Sequence, residues 1–385
     1  MAQNESSITV REVRSKADLQ HFLDVSSLCQ GHDPAWVAPL RMMVKDQLNP
    51  EKNPWFTHGE ACQWIAEKDG RLAGRISAQI DHTHLELRQD STGFFGFFEC
   101  VDDKSVADAL FATALSWLRK KGMKNAIGPF SLNINEESGL LVDGFMSPAK
   151  MMMGHAQPYY KTLIEDAGFT KVTDLFAFLV PMDTAVPPQL ARLRRSISTN
   201  EKYEVRHLDP QRYDADIRTF FDIFNAAWAD NWGFIPLTDA DFSHMAREMK
   251  PLLIPELVWF AYYEGEPAAM AVALPDLNEM IADLEGRLWP VGWLRLMWRV
   301  MTRRSWSSRT RVPFMGVLPR FRNKSLGSVL ALLVIGAIRD SSLKLNMPVS
   351  EMSWVLEDNK PTIHSLSEIG GRIYKTYRMY EKVIT

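Results

Sequence analysis

The chain has 385 residues, of which 46% are hydrophobic and 24% charged. That length holds two ordinary domains, and the composition is that of a soluble globular fold rather than a disordered or fibrous chain. A formal net charge of -3 gives no reason for the whole surface to coat a nucleic acid, so an anionic partner has to meet a local basic patch.

The opening MAQNESSITVREV has no basic head followed by an apolar core, so no secretory signal is expected there. ITVREV (Ile8–Val13) reads as a strand, and WIAEKDGRLAG (Trp64–Gly74) reads as a hairpin turning at Asp69-Gly70. GFFECVDDKSVADALF (Gly96–Phe111) reads as a strand running into a helix. Cys29, Cys62 and Cys100 lie far apart without a CxxC pair. This predicts free thiols in a cytoplasmic protein and no zinc or other metal site. A polar loop follows, with Asn133, Asn135, Glu136 and Glu137, then Asp143 and His155. These residues fit the lining of a polar ligand site and equally fit ordinary loop positions. The stretch Met182–Lys202, with two prolines and a basic helical run, breaks the strand pattern. Domains are therefore expected at 1–182 and 203–385, joined by a linker at 183–202.

The second half repeats the first. YEVRHL (Tyr203–Leu208) matches ITVREV, and WFAYYEGEPAA (Trp259–Ala269) matches the hairpin, both at an offset of 195. PTIHSLSEIGG (Pro361–Gly371) matches PYYKTLIEDAG (Pro158–Gly168) at 203. Strands mixed with helices in this order predict an α/β, or α+β mixed-sheet, domain used twice. Aligning Gly96 with Gly316 gives an offset of 220, so the second half is expected to carry 25 extra residues, an insertion at 273–311. It contains LWPVGWLRLMWRVMTRRSWSSRTR, with four tryptophans, six arginines and no acid. As a helix from Pro290 it puts Trp289, Trp293, Leu296, Met297 and Val300 on one side and Arg295, Arg299 and Arg303 on another. Such a helix lies in a lipid headgroup layer, or packs on the protein with its arginines solvated. The longest apolar run, Val329–Ile338, is too short to cross a bilayer, which takes about 20 residues.

FMGVL (Phe314–Leu318) leads through a basic turn, with Arg320, Arg322 and Lys324, into a long apolar helix. A strand, loop and helix in that order bring bare backbone N–H groups and a helix dipole to one point, where a diphosphate binds. Arg322-x-x-Ser325-x-Gly327 resembles the Q/R-x-x-G-x-G/A pyrophosphate loop of the GNAT acyltransferases, with Ser in place of the first Gly. The stretches Gly128–Tyr160 and Glu351–Ile384 resemble the bacterial ceramide synthase-like family of tandem GNAT proteins over essentially the whole chain.

The resemblance implies two tandem GNAT-like domains and an N-acyltransferase. It would move a long-chain acyl group from acyl-CoA, or an acyl carrier protein, to the amine of a sphingoid base. On it, Val317, Arg322, Asn323, Lys324, Ser325, Leu326, Gly327 and Ser328 hold the CoA diphosphate, and Asn359 seats its arm. At the offset of 220 Asp102 meets Arg322 and would repel a diphosphate in the first half, which is expected to be degenerate. Glu357, Asp358 and His364 are candidate bases, each equally readable as a surface residue. The tyrosine that many GNAT enzymes use as thiolate acid is replaced by Leu366, and by Leu163 in the first half, leaving Tyr374, Tyr377 or water. Asn133, Asn135, Glu136, His155 and Trp293 are candidates for the acceptor site. The partners expected are a lipid amine and the inner membrane surface, not nucleic acid. A GNAT acetyltransferase on a small soluble amine, and a non-catalytic acyl-CoA or lipid-binding protein, are the alternatives.

Overall fold

The computed structural model describes residues 7–184, 191–192, 195–197, 199–302, 307–322 and 325–384. Thirteen strands have named ranges: β1 (Ile8–Glu12), β2 (Gly59–Lys68), β3 (Arg71–Asp81), β4 (Thr92–Cys100), β5 (Asn125–Gly128), β6 (Leu140–Asp143), β7 (Thr170–Pro181), β8 (Tyr203–His207), β9 (Val258–Tyr263), β10 (Glu266–Pro275), β11 (Arg309–Val317), β12 (Val349–Leu356) and β13 (Arg372–Val383). They belong to two compact units. The first is Met1–Phe176 with Met280–Met301 and Lys375–Thr385, and the second is Ala177–Glu279 with Thr302–Tyr374. The units are not successive stretches of chain, because β7 and β13 each give part of their length to one and part to the other.

In the first unit β1, β2, β3 and β4 are antiparallel neighbours and β5 joins β4 in parallel. The end of β13 then pairs antiparallel with β5 and with the short β6. The helix Lys104–Lys120 packs across β3 and β2 through an apolar row including Val106, Leu110, Ala114 and Leu118. A second core lies on the helix Lys16–Gln30, where Phe22 and Val25 meet Trp55, Ile65 and Phe97.

The second unit repeats this order. β8, β9, β10 and β11 are antiparallel and β12 joins β11 in parallel. The repeat holds residue by residue: Ile8 pairs with Lys68 and Tyr203 with Tyr263, both at the offset of 195 expected from sequence. The hairpins turn where expected, with positive φ at Asp69 and Gly70 and at Glu264 and Gly265. Only such left-handed pairs match the twist of two strands joined by two residues. The helix Ser325–Lys344 is long and apolar enough to cross a membrane by length and composition. It packs on β9 and β10, burying Leu330, Leu333, Val334, Ala337 and Ile338.

The offset of 220 at the two loops needs correction. β4 and β11 begin at Thr92 and Arg309, an offset of 217, and the helices that follow begin at Lys104 and Ser325, an offset of 221. The second half therefore gains four residues in the turn itself. At the strand offset of 217, set also by Cys100 and Val317 pairing with Gly74 and Ala269, Arg322 falls against Ser105, so Asp102 is not its counterpart.

Candidate active site

In each unit the two parallel central strands part company. β4 pairs with β5 only from Thr92 to Phe94, although β4 runs on to Cys100. β11 pairs with β12 only from Arg309 to Val312, while β11 continues to Val317 and β12 to Leu356. A register shift in each antiparallel pairing, between Arg75 and Ser77 and between Val272 and Leu274, bulges β4 and β11 near this point and bends the strand away from its neighbour.

The two openings differ. In the first unit the chain fills its own gap: Phe130 N–H donates to Phe95 O at 2.8 Å, and Gln79 Nε2 donates to Phe130 O at 2.7 Å. A Cβ on Gly96 would collide with that Phe130 carbonyl. The following helix is also closed at its N-terminus, where Asp103 accepts from Ser105 N–H and Val106 N–H and pairs with Lys68. In the second unit, among the described residues, no strand pairs with Pro313–Val317 on the β12 side. An open strand edge is a template for another extended chain. Trp228 Nε1 donates to Met315 O at 3.0 Å and forms part of its wall.

The turn after β11 carries the residues expected to hold a diphosphate. Val317 ends the strand, and Arg322 ends the helical turn Pro319–Arg322. The Arg322 guanidinium donates to Ala227 O, at the end of the helix Tyr213–Trp228, and lies 3.7 Å from Asp230. Asn323 and Lys324 lie outside the described residues. Ser325, Leu326, Gly327 and Ser328 form the first turn of the long helix, with Ser325 and Ser328 exposed. Gly327 is buried, and a Cβ there would stand 2.5 Å from Phe321 O and 3.1 Å from Arg322 Cα. Close approach of the turn to the helix therefore requires glycine.

Glu357 and Asp358 occupy the turn after β12, where the Glu357 carbonyl accepts from Lys360 Nζ at 2.7 Å. Asn359 caps the helix Lys360–Glu368, its side chain accepting from Thr362 N–H at 3.2 Å. Tyr377 is wholly buried in the first unit, opposite Leu141. Sequence reasoning missed a buried cluster in the second unit. Arg311 and Glu351 are register partners at the last paired step but one, 3.7 Å apart, with Ser353 bridging them at 3.0 and 2.7 Å. Tyr374 donates its hydroxyl to Glu351, and Trp354 lies under the guanidinium.

The first unit gathers a longer buried polar chain. His155 Nε2 meets Asp33 Oδ2 at 2.8 Å, and Gln157 Nε2 reaches Asp33 at 3.3 Å and Gln30 Oε1 at 3.0 Å. Gln30 in turn donates to Glu99 at 2.9 Å, and Tyr160 donates to the same oxygen at 2.6 Å. Arg75 stands 3.8 Å from Glu99, stacked over Phe22. Burial pushes the Glu99 carboxyl up to about 7 against the pull of Arg75 and these hydrogen bonds. Burial also lowers His155, while Asp33 pulls the other way. The signal in the sequence was a carboxylate inside the otherwise apolar strand GFFGFFEC. Asn133 and Glu136 are occupied in their own loop: Asn133 Oδ1 accepts from Asn135 N–H at 2.8 Å and its carbonyl from Glu136 N–H at 3.2 Å. Trp293 lies on the helix Gly292–Thr302, its indole donating to Pro290 O at 3.1 Å.

No protein-family profile matches the chain. It is 40% identical over 378 residues to the bacterial ceramide synthase of Caulobacter vibrioides, covering 98% of each chain. The chain belongs to the bacterial ceramide synthase family of tandem GNAT acyltransferases. Another relative is protein YghO of Escherichia coli, 39% identical over 376 residues, with 97% of this chain and 95% of that one covered. Among solved structures, a tandem GNAT protein from the clavulanic acid biosynthesis pathway aligns with a TM-score of 0.54 at 12% identity, over 99% of both chains. A GCN5-related N-acetyltransferase from Sphaerobacter thermophilus aligns at 0.52 with 14% identity, over 98% and 96%. At such identities the structures establish the fold. Family and fold together make this bacterial ceramide synthase relative an N-acyltransferase, with the tandem GNAT architecture expected from its sequence.

Proposed function

We propose that this N-acyltransferase carries a long-chain acyl group from acyl-CoA to the amine of a sphingoid base, at the cytoplasmic side of the membrane and as a step in sphingolipid synthesis. The observation that carries the donor is the contrast between the two strand openings. The first is filled by Phe130 and capped by Asp103, whereas the second is followed by a longer basic turn. On this reading 1–182 is the degenerate domain and 203–385 the thioester domain. The acceptor class is supported by the name of the Caulobacter relative.

The open edge of Pro313–Val317 takes the pantetheine arm as a surrogate strand. Val317, Arg322, Asn323, Lys324 and the helix turn Ser325–Ser328 hold the diphosphate, with Asn359 near the arm. The amine loses a proton to Glu357 or Asp358, its nitrogen attacks the thioester carbonyl, and the tetrahedral oxyanion collapses with loss of thiolate. Tyr374 is our preferred proton donor to that thiolate, with Tyr377 retained as the second candidate. Asn133, Asn135, Glu136, His155 and Trp293 are proposed for the acceptor. Attack of an amine on a thioester needs no metal.

The test is incubation of the purified chain with palmitoyl-CoA and sphinganine, following thiol release and product mass together. Equal amounts of CoA and N-palmitoyl sphinganine are expected. Acetylation of a soluble polyamine with no lipid product would overturn the acceptor, and turnover only with acyl carrier protein would overturn the donor.

A further inference from the structure

On the helix Gly292–Thr302 the apolar face expected from sequence is divided: Leu296 and Val300 turn inward, Trp293 and Met297 are exposed, and of the arginines Arg295 is exposed while Arg299 is drawn against the protein. Arg299 donates to both oxygens of Asp283, at 2.7 and 2.8 Å, and to the Met280 carbonyl. Arg295 lies 3.7 Å from the same aspartate. The buried or half-buried side of the helix is Gly292, Leu296, Arg299 and Val300. The exposed side is Leu294, Met297, Trp298 and Met301, spaced i, i+3, i+4, i+7 and so forming one stripe. Met301 is 74% exposed and Trp298 60%, and just before the helix Trp289 is 80% exposed and Val291 51%. An ordinary surface helix of a globular protein places such a stripe inward. Here Leu296 and Val300 face the protein beside the Arg299–Asp283 ion pair, and a second apolar stripe is left outside.

We propose that this stripe is a membrane-docking face that lies flat in the headgroup layer of an anionic bilayer. The proposal deepens the lipid-amine reading and rests on it for its purpose, since a sphingoid base is itself held in a membrane. Charge selects the occupant. Arg295 is exposed on the helix next to Leu294, Arg287 is exposed shortly before the helix begins, and no acidic residue occurs from Leu288 to Arg311. A second copy docked by two-fold symmetry would bring these arginines against their own equivalents, whereas anionic lipid attracts each of them. Tryptophan and methionine with flanking arginine suit the boundary between acyl chains and headgroups.

The experiment is flotation of the full chain with vesicles of phosphatidylcholine alone and of phosphatidylcholine with 30 mol% phosphatidylglycerol, at about 0.1 M and 0.5 M salt, salt that shortens the reach of charge. The probe variant is Leu294→Ser, Met297→Ser, Met301→Ser, with Arg295→Gln as a second that leaves the apolar stripe intact. We expect the parent to float with the anionic vesicles, at least tenfold less at high salt. The triple variant should lose flotation while melting within a few degrees of the parent, and Arg295→Gln should float several-fold less. Equal flotation of parent and triple variant overturns the proposal. So does a parent that stays in solution, or a triple variant that turns a dimer into a monomer in sedimentation. Turnover of palmitoyl-CoA with sphinganine dispersed in detergent separates the two readings. If it persists in the triple variant the chemistry stands whatever flotation shows, and if it is absent in the parent the chemistry fails by itself.

Discussion

Arg299 and Asp283 form a two-pronged ion pair, 2.7 and 2.8 Å, on the side of the Trp/Arg helix that meets the protein. The pair holds the Asp283 carboxyl below the usual carboxylate range, mainly through the Arg299 hydrogen bond, and raises Arg299 in return. Asp283 is nearly half exposed, so the pair contributes little to overall stability, about 0–1 kcal/mol. Its effect is on orientation. Asp283→Asn is expected to leave the melting temperature within about 3 °C and to quicken trypsin cleavage after Arg295 and Arg299 in a timed digest. An unchanged digest would mean that packing of Leu296 and Val300 is sufficient.

Gly327→Val tests the turn after β11. A side chain there meets the Phe321 carbonyl, so the turn must move off the helix. The KM for palmitoyl-CoA is expected to rise at least tenfold, about 1.4 kcal/mol of lost binding, with the fold retained by circular dichroism. An unaltered KM removes this turn from the donor site.

Arg322→Glu reverses a charge on a partly exposed side chain. Thioester use should fall by roughly a hundredfold or more, because a diphosphate would then face a carboxylate, while thermal stability changes by less than about 1 kcal/mol. Loss of activity together with global unfolding would instead make the Ala227 contact structural.

Glu351→Ala leaves Arg311 buried without its carboxylate. A destabilisation of about 3–5 kcal/mol is expected, read by urea unfolding. Tyr374→Phe keeps the ion pair and should be far milder for stability, but on the proposed mechanism it lowers kcat more than KM. An unchanged kcat assigns the proton to another donor.

The buried groups of the first unit set a pH profile. Glu99 titrates at about 7 in the fold against an ordinary value of 4.5. Between those values the unfolded chain has released a proton that the folded chain still holds, so this group's contribution falls as pH rises, by on the order of 3 kcal/mol. His155 is lowered from 6.5, so the unfolded chain takes up a proton first, and stability falls as pH drops below 6.5. Denaturant titrations from pH 4 to 9 should show the decline above 4.5 flattened in Glu99→Gln and the acid-side decline reduced in His155→Asn. Parallel profiles for all three proteins would remove both residues from the titration.

Local order was legible in the chain. Asp69-Gly70 and Glu264-Gly265 announce two-residue hairpins because few other residues take their backbone angles, and the offset of 195 between them persists as strand register. The offset of 220 failed because it carried strand and loop together. Strands at 217 and helices at 221 differ by four residues in the turn, and a turn can grow without disturbing the hydrogen-bonded ladder.

What the sequence by itself determined is the repeated element order, the hairpins and the basic turn before the long helix, because each depends on residues close in the chain. Only the tertiary structure decided that Phe130 fills the first strand opening, that Arg311 meets Glu351, and that Gln30, Asp33, Glu99, His155 and Tyr160 form one buried chain. It also split the apolar residues of the tryptophan helix, turning Leu296 and Val300 inward beside the Arg299–Asp283 pair and leaving Leu294, Met297, Trp298 and Met301 outside. Those contacts join residues distant in sequence, and no local periodicity encodes which distant carboxylate an arginine will reach.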